Sequence, residues 1–174
     1  MSTVNGRGDD PLRANPSRRG RRSRILIAGL GNLLLRDDGV GVHVVQALQR
    51  TSLPKGVLAV EVGTAPLDAL HLLEWADEVH AVDAVEAGGP PGSLYRLDLN
   101  EAEEAGRVSL HELGLRSACR LLPPERRPPV TVWGVEPERI DFGLELSPSV
   151  QQSVPELVRM LQVRVGAGQP ESGV

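Results

Sequence analysis

Four residues stand out for the chemistry they could do together. Asp37 and Asp38 follow a glycine turn, Asp83 closes the apolar run Val79-His80-Ala81-Val82, and His111 stands at the start of a segment with helical spacing. Asp38, Asp83 and His111, two carboxylates and one imidazole, make an oxygen-rich, thiolate-free set that can hold a divalent ion and leave positions open. Nickel, zinc or cadmium would each be accepted by such a set. Asp83 is the hardest of these to explain as ordinary structure, because a lone acid ending a buried strand is costly without a partner. Asp38 equally suits the preference for Asp at a helix start, and Asp37 suits that cap or a supporting contact beside Asp38. His111 taken alone reads as a solvent-facing residue. His43, His71 and His80 lie in periodic segments that suit surface or packing roles. Cys119 falls on an amphipathic helix as a small core residue. No Ser-His-Asp order and no Gly-x-Ser-x-Gly elbow occurs.

These residues need elements to carry them. Ile25 to Leu30 reads as a buried strand, followed by the turn Gly29-Leu30-Gly31-Asn32 and a helix over residues 39–50, with Val40, Val44, Val45 and Leu48 on one face. Further strands are expected at 57–62, 79–83, 93–98 and 130–135. Helices are expected from Pro66 to Trp75 and from His111 to Leu122. A last helix is capped by Ser147 with Pro148 at its first position, and Pro155 inside it predicts a kink or a late restart. The alternation means a single-domain α/β three-layer sandwich, with a largely parallel twisted sheet and helices on both faces. In such sheets ligands sit at the carboxyl ends of the strands. That is where Asp38 and Asp83 fall.

The glycine turn is not a dinucleotide loop. The third glycine of Gly-x-Gly-x-x-Gly would be at position 34, which is Leu34, and two acids at the helix start would repel a pyrophosphate. Aromatic residues make up 2% of the chain, which disfavours stacking platforms for nucleic acid, and the single cysteine excludes an internal disulfide and suits a reducing cytosol. The net charge of −4 hides a basic segment: residues 1–24 hold seven arginines against Asp9 and Asp10. Poor in apolar residues, residues 1–24 are expected to be disordered, as is the tail 166–174, leaving one domain over 25–165. The paired arginines mimic an export signal. However, the apolar run that follows is broken by Asn32, lacks a small-residue cleavage site and leads into Arg36-Asp37-Asp38, so a cytoplasmic location is expected. No segment has the length of a transmembrane helix.

The segment Gly29, Gly31, Asn32, Asp37, Asp38, Gly39 and Gly41, in this order after a strand, closely resembles the amino-terminal signature of hydrogenase maturation endopeptidases. The order of later segments is similar from about residue 24 to residue 165. The resemblance implies that Asp38, Asp83 (in Ala81-Val82-Asp83-Ala84) and His111 (in Ser109-Leu110-His111) are the metal-contacting and catalytic residues. Gly29, Gly31, Asn32, Asp37, Gly39, Gly63 and Thr64 would form the supporting loops. Glu61 and Val62 depart from the Asp-Gly pair that many members carry before Gly63-Thr64, which bears on which hydrogenase is recognised.

The implied activity is removal of a carboxyl-terminal extension from the large-subunit precursor of a nickel–iron hydrogenase, without a Ser or Cys nucleophile. The nickel would be borne by the substrate, and other divalent ions could occupy the site in isolation. The implied partner is that immature large subunit, with neither membrane nor nucleic acid. Two alternatives stay open at the level of sequence. One is a nonproteolytic nickel-binding chaperone or scaffold on the same fold, and the other is an unrelated metal-dependent hydrolase.

Overall fold

The computed structural model describes residues 23–100 and 109–167. The expected disorder of residues 1–22 and 168–174 lies outside the described residues. Ser23 and Arg24, counted with the tail above, are placed: the Arg24 backbone N–H and guanidinium both donate to Asp77, and the guanidinium lies over the Trp75 ring.

The strands are β1 (Ile25–Leu30), β2 (Val57–Gly63), β3 (Glu78–Ala84), β4 (Leu94–Asp98) and β5 (Val130–Val135). The helices are α1 (Val40–Gln49), α2 (Leu70–Trp75), α3 (Leu110–Leu121) and α4 (Pro148–Ala167). The first two are each entered through a 3-10 turn, Arg36–Gly39 and Pro66–Ala69. The second turn shortens the helix expected from Pro66, because Pro66 has no N–H to commit and the chain closes its first turn with i→i+3 bonds. α4 runs through Pro155 without a break, contrary to the expected restart, and reaches Ala167, past the expected boundary at 165. Its buried residues Val150, Val154, Leu157, Leu161 and Val165 lie three to four apart on both sides of Pro155. Packing of that stripe keeps both halves in register across the missing backbone bond.

The sheet order is β2-β1-β3-β5-β4, parallel except for β4. Alternation along β1 explains the layers. Ile25 and Ile27 face a core with α1 and α4, while Leu26, Ala28 and Leu30 face a second core with α2 and α3. β1 connects outward to β2, and the chain then crosses to β3 on the other side of β1. The strand order therefore reverses between β1 and β3, and a crevice opens beyond their carboxyl ends. Two glycines permit this geometry. A Cβ at Gly31, whose φ is +107°, would overlap the Asp38 carbonyl oxygen, and one at Gly41 would overlap the Val82 carbonyl oxygen where α1 meets the sheet.

Candidate active site

The crevice collects residues from three elements. The turn after β1 folds back so that the Asn32 N–H donates to Asp38 Oδ2 at 2.8 Å. Asp83 is the penultimate residue of β3 and is fully buried. Its Oδ1 accepts from the Ala84 N–H at 2.9 Å, and its Oδ2 accepts from Ser109 Oγ at 2.5 Å. His111 lies in the first turn of α3 with its ring between the acids: Nδ1 is 3.5 Å from Asp83 Oδ2 and Nε2 is 3.7 Å from Asp38 Oδ2. These are ion-pair separations. The buried Nδ1 has no hydrogen-bond partner. The structure thus brings Asp38, Asp83 and His111 together.

Asp37 does not join them. Its carboxylate is fully buried on the other side of the turn and accepts four bonds: from the backbone N–H groups of Glu138, Arg139 and Ser147, and from Ser147 Oγ. The Ser147 hydroxyl, expected to cap α4, donates its proton to Asp37 Oδ2. Gly31 and Gly63 join the two glycine loops through a backbone bond of 3.1 Å. Asn32, Gly63 and Thr64 line a cleft of about 260 Å³ beside the turn, with Glu61 on its wall. Gly29 and Gly39 pack where a side chain would meet the Gly41 and Leu33 backbone.

Ser109 and Glu112 belong to the same network, and the sequence reading did not single them out. Ser109 caps α3 in a capping box: its Oγ accepts from the Glu112 N–H while Glu112 Oε2 accepts from the Ser109 N–H. The signal was present as Ser-Leu-His-Glu, the S-x-x-E pattern. The same hydroxyl donates to Asp83, so one side chain ties the helix start that carries His111 to the acid at the strand end. It points its proton at the carboxylate and not at the imidazole, which is not the arrangement of a serine nucleophile with its base.

Electrostatics follow from this packing. Burial raises the Asp83 carboxyl and the nearby Asp38 adds to it, while His111 and Ser109 oppose. The His111 imidazole is raised by Asp83, against its own partial burial. Burial pushes Glu112 up to about 7, with its Oε1 unpartnered. Burial alone would raise Asp37 too, but the bonds from Ser147, Arg139 and Glu138 outweigh it and hold that carboxyl low. Among the described residues, no group of three or more His, Cys, Asp and Glu side chains is already arranged to hold a metal ion. Cys119 is a buried free thiol pushed up to about 11, as suits a core residue.

Fold and site together define an α/β domain with an acid–imidazole–acid cluster at its topological switch point. The model of the family described as hydrogenase maturation protease matches residues 42–163, a span that contains Asp83 and His111 and begins just after the signature loop. Hydrogenase 2 maturation protease of Escherichia coli (strain K12) is 34% identical over 158 residues, 87% of this chain and 93% of that protein. Hydrogenase expression/formation protein HupD of Thiocapsa roseopersicina is 32% identical over 143 residues, 78% of this chain and 65% of HupD. The chain thus spans just under two thirds of HupD's length. The solved structure of the hydrogenase maturating endopeptidase HybD from Escherichia coli matches with a TM-score of 0.74 at 30% identity, covering 86% of this chain and 98% of that one. This chain belongs to the hydrogenase maturation protease family.

Proposed function

We propose that this protein is the endopeptidase that removes the carboxyl-terminal extension of a nickel–iron hydrogenase large subunit after nickel insertion, and that it reads the nickel through Asp38, Asp83 and His111. The observation that carries this is the convergence of these three side chains, from three separate segments, at the carboxyl edge of β1 and β3. The nickel arrives with the substrate. An imidazole must lose its proton to ligate a cation. The two acids favour the protonated ring, so an incoming nickel has to displace that proton. Held there, nickel would supply Lewis-acid character toward the scissile carbonyl or an attacking water, and a carboxylate of the cluster would take the water's proton and return it to the departing amine. The engagement of Ser109 Oγ by Asp83 supports hydrolysis without a serine nucleophile.

The reading places the protein in the cytoplasm, in keeping with its single cysteine. Among the described residues, no helix is long and apolar enough to cross a membrane. The decisive experiment incubates purified protein with nickel-loaded precursor and with nickel-free precursor, then weighs the large subunit by mass spectrometry. A loss of the extension only from the loaded precursor is expected. Intact loaded precursor, bound but uncut, would instead make the protein a nickel-handling scaffold.

A further inference from the structure

Across the signature turn from Asp38 runs the segment between β5 and α4, held by Asp37, and it exposes apolar side chains at alternate positions. Ile140 is 45% exposed, Phe142 84% and Leu144 67%, and Leu34, whose carbonyl accepts from the Gly143 N–H, is 54% exposed. The chain has one phenylalanine in all, and it is this one. Exposure here is not slackness. Asp37 holds both ends of the segment, at Glu138–Arg139 and at Ser147. Its middle is bridged to the signature loop at Leu35 and Gly143, where the Arg36 N–H donates to the Gly143 carbonyl. Arg36, at a left-handed φ of 48°, also pairs with Asp141 at 2.6 Å. Arg36, Asp37 and Asp38 are consecutive, so the residues that brace this segment lie next to a residue of the site.

We propose that Ile140, Phe142, Leu144 and Leu34 form the seat for an extended apolar segment of the substrate that flanks the scissile bond. This rests on the proposed function and names the surface that would feed that site. Two observations select the occupant. The four side chains expose on the order of 500 Å², short of the roughly 800 Å² that one face of a folded protein interface buries. A patch of that size suits a few residues of extended chain. In addition, the acids Glu138, Asp141 and Glu145 outnumber Arg36 and Arg139, both of which pair with Asp141, so the segment and its brace keep one negative charge in excess. The seat therefore fits an apolar segment flanked by a basic residue. In the proposed reading that segment belongs to the carboxyl-terminal extension of the precursor.

The test uses the full chain and a Phe142→Ser/Leu144→Ser variant, with matched melting temperatures as the check on folding. With nickel-loaded precursor, KM is expected to rise about tenfold, the loss of one good anchor, while kcat stays within about twofold. Affinity for a large subunit that already lacks the extension should not change. An unchanged KM, or a fall in kcat alone, overturns the proposal. An equal loss of affinity for the shortened subunit also overturns it, because the patch would then dock the folded body. If the wild type fails to cut loaded precursor, the proposed function falls by itself. The seat is then decided by titration calorimetry with a synthetic extension peptide, whose binding the variant must weaken by the same factor.

Discussion

The adjacent carboxylates Asp37 and Asp38 face opposite ways, and their partners set their tasks. Asp38 receives one backbone N–H and keeps its other capacity toward His111, whereas Asp37 is saturated by four donors. Asp38→Asn and His111→Ala should therefore fold normally and lose processing of nickel-loaded precursor by on the order of 10²-fold or more. Mass spectrometry of the large subunit with matched circular dichroism checks this, and full processing by both variants would remove them from the site. Ser109→Ala is different in kind. It deletes a helix cap and leaves a buried Asp83 oxygen short of a donor, so a loss of about 1–3 kcal/mol is expected in urea titration. Ser109→Thr, which keeps the hydroxyl, should recover most of it.

Among the elements, the turn from β1 into α1 does the most positioning. Gly41 lets α1 lie against the sheet close to the Val82 carbonyl, one residue before Asp83. The helix–strand contact that a dinucleotide loop assigns to its third glycine is supplied here by Gly41, with an acidic turn inserted before it. Gly41→Ala should force α1 away and destabilise the protein by about 1–3 kcal/mol or more, read as a lower denaturant midpoint. Asp37 acts on the same scale, pinning the segment 138–147 to the turn. Its carboxyl is held low, so its contribution is present above the ordinary carboxylate range and is lost as pH falls through the depressed value. Asp37→Ala removes the acceptor at every pH. That variant should be less stable at pH 7 and should lose less of its remaining stability on acidification than the wild type does, by denaturant titration.

For the whole molecule, His80 sets a further acid sensitivity. It is fully buried in β3, accepts from Trp133 Nε1 at 3.1 Å, and is pushed from 6.5 to about 4 by burial and by Arg164 and Arg96. Glu78 Oε1 lies 3.4 Å from its Nε2, but the burial and the two guanidiniums prevail. The unfolded imidazole takes up a proton near 6.5 and the folded one resists until about 4. Stability should therefore fall as pH drops through that window, by up to about 3 kcal/mol from this residue. His80→Asn keeps an acceptor within reach of Trp133 and removes the titration, so the slope of stability against pH should flatten.

The order of strands and helices and the parallel sheet were legible from one chain because they rest on local signals, and so was the meeting of Asp38, Asp83 and His111 at one edge. Apolar periodicity marks β1, α1 and β5; Ser147-Pro148 marks the start of α4; and a glycine turn or a strand end marks where a side chain can reach the crevice. What Asp37 does was not legible, since its partners are about a hundred residues away and backbone N–H groups carry no residue identity. Nor was the seat at Phe142, where exposure is a property of the packed surface. The sequence by itself determined which groups could ionise, ligate or turn the chain. Only the tertiary structure decided which of two neighbouring acids stays available and which one holds the loop, because that depends on which donors burial brings within 3 Å.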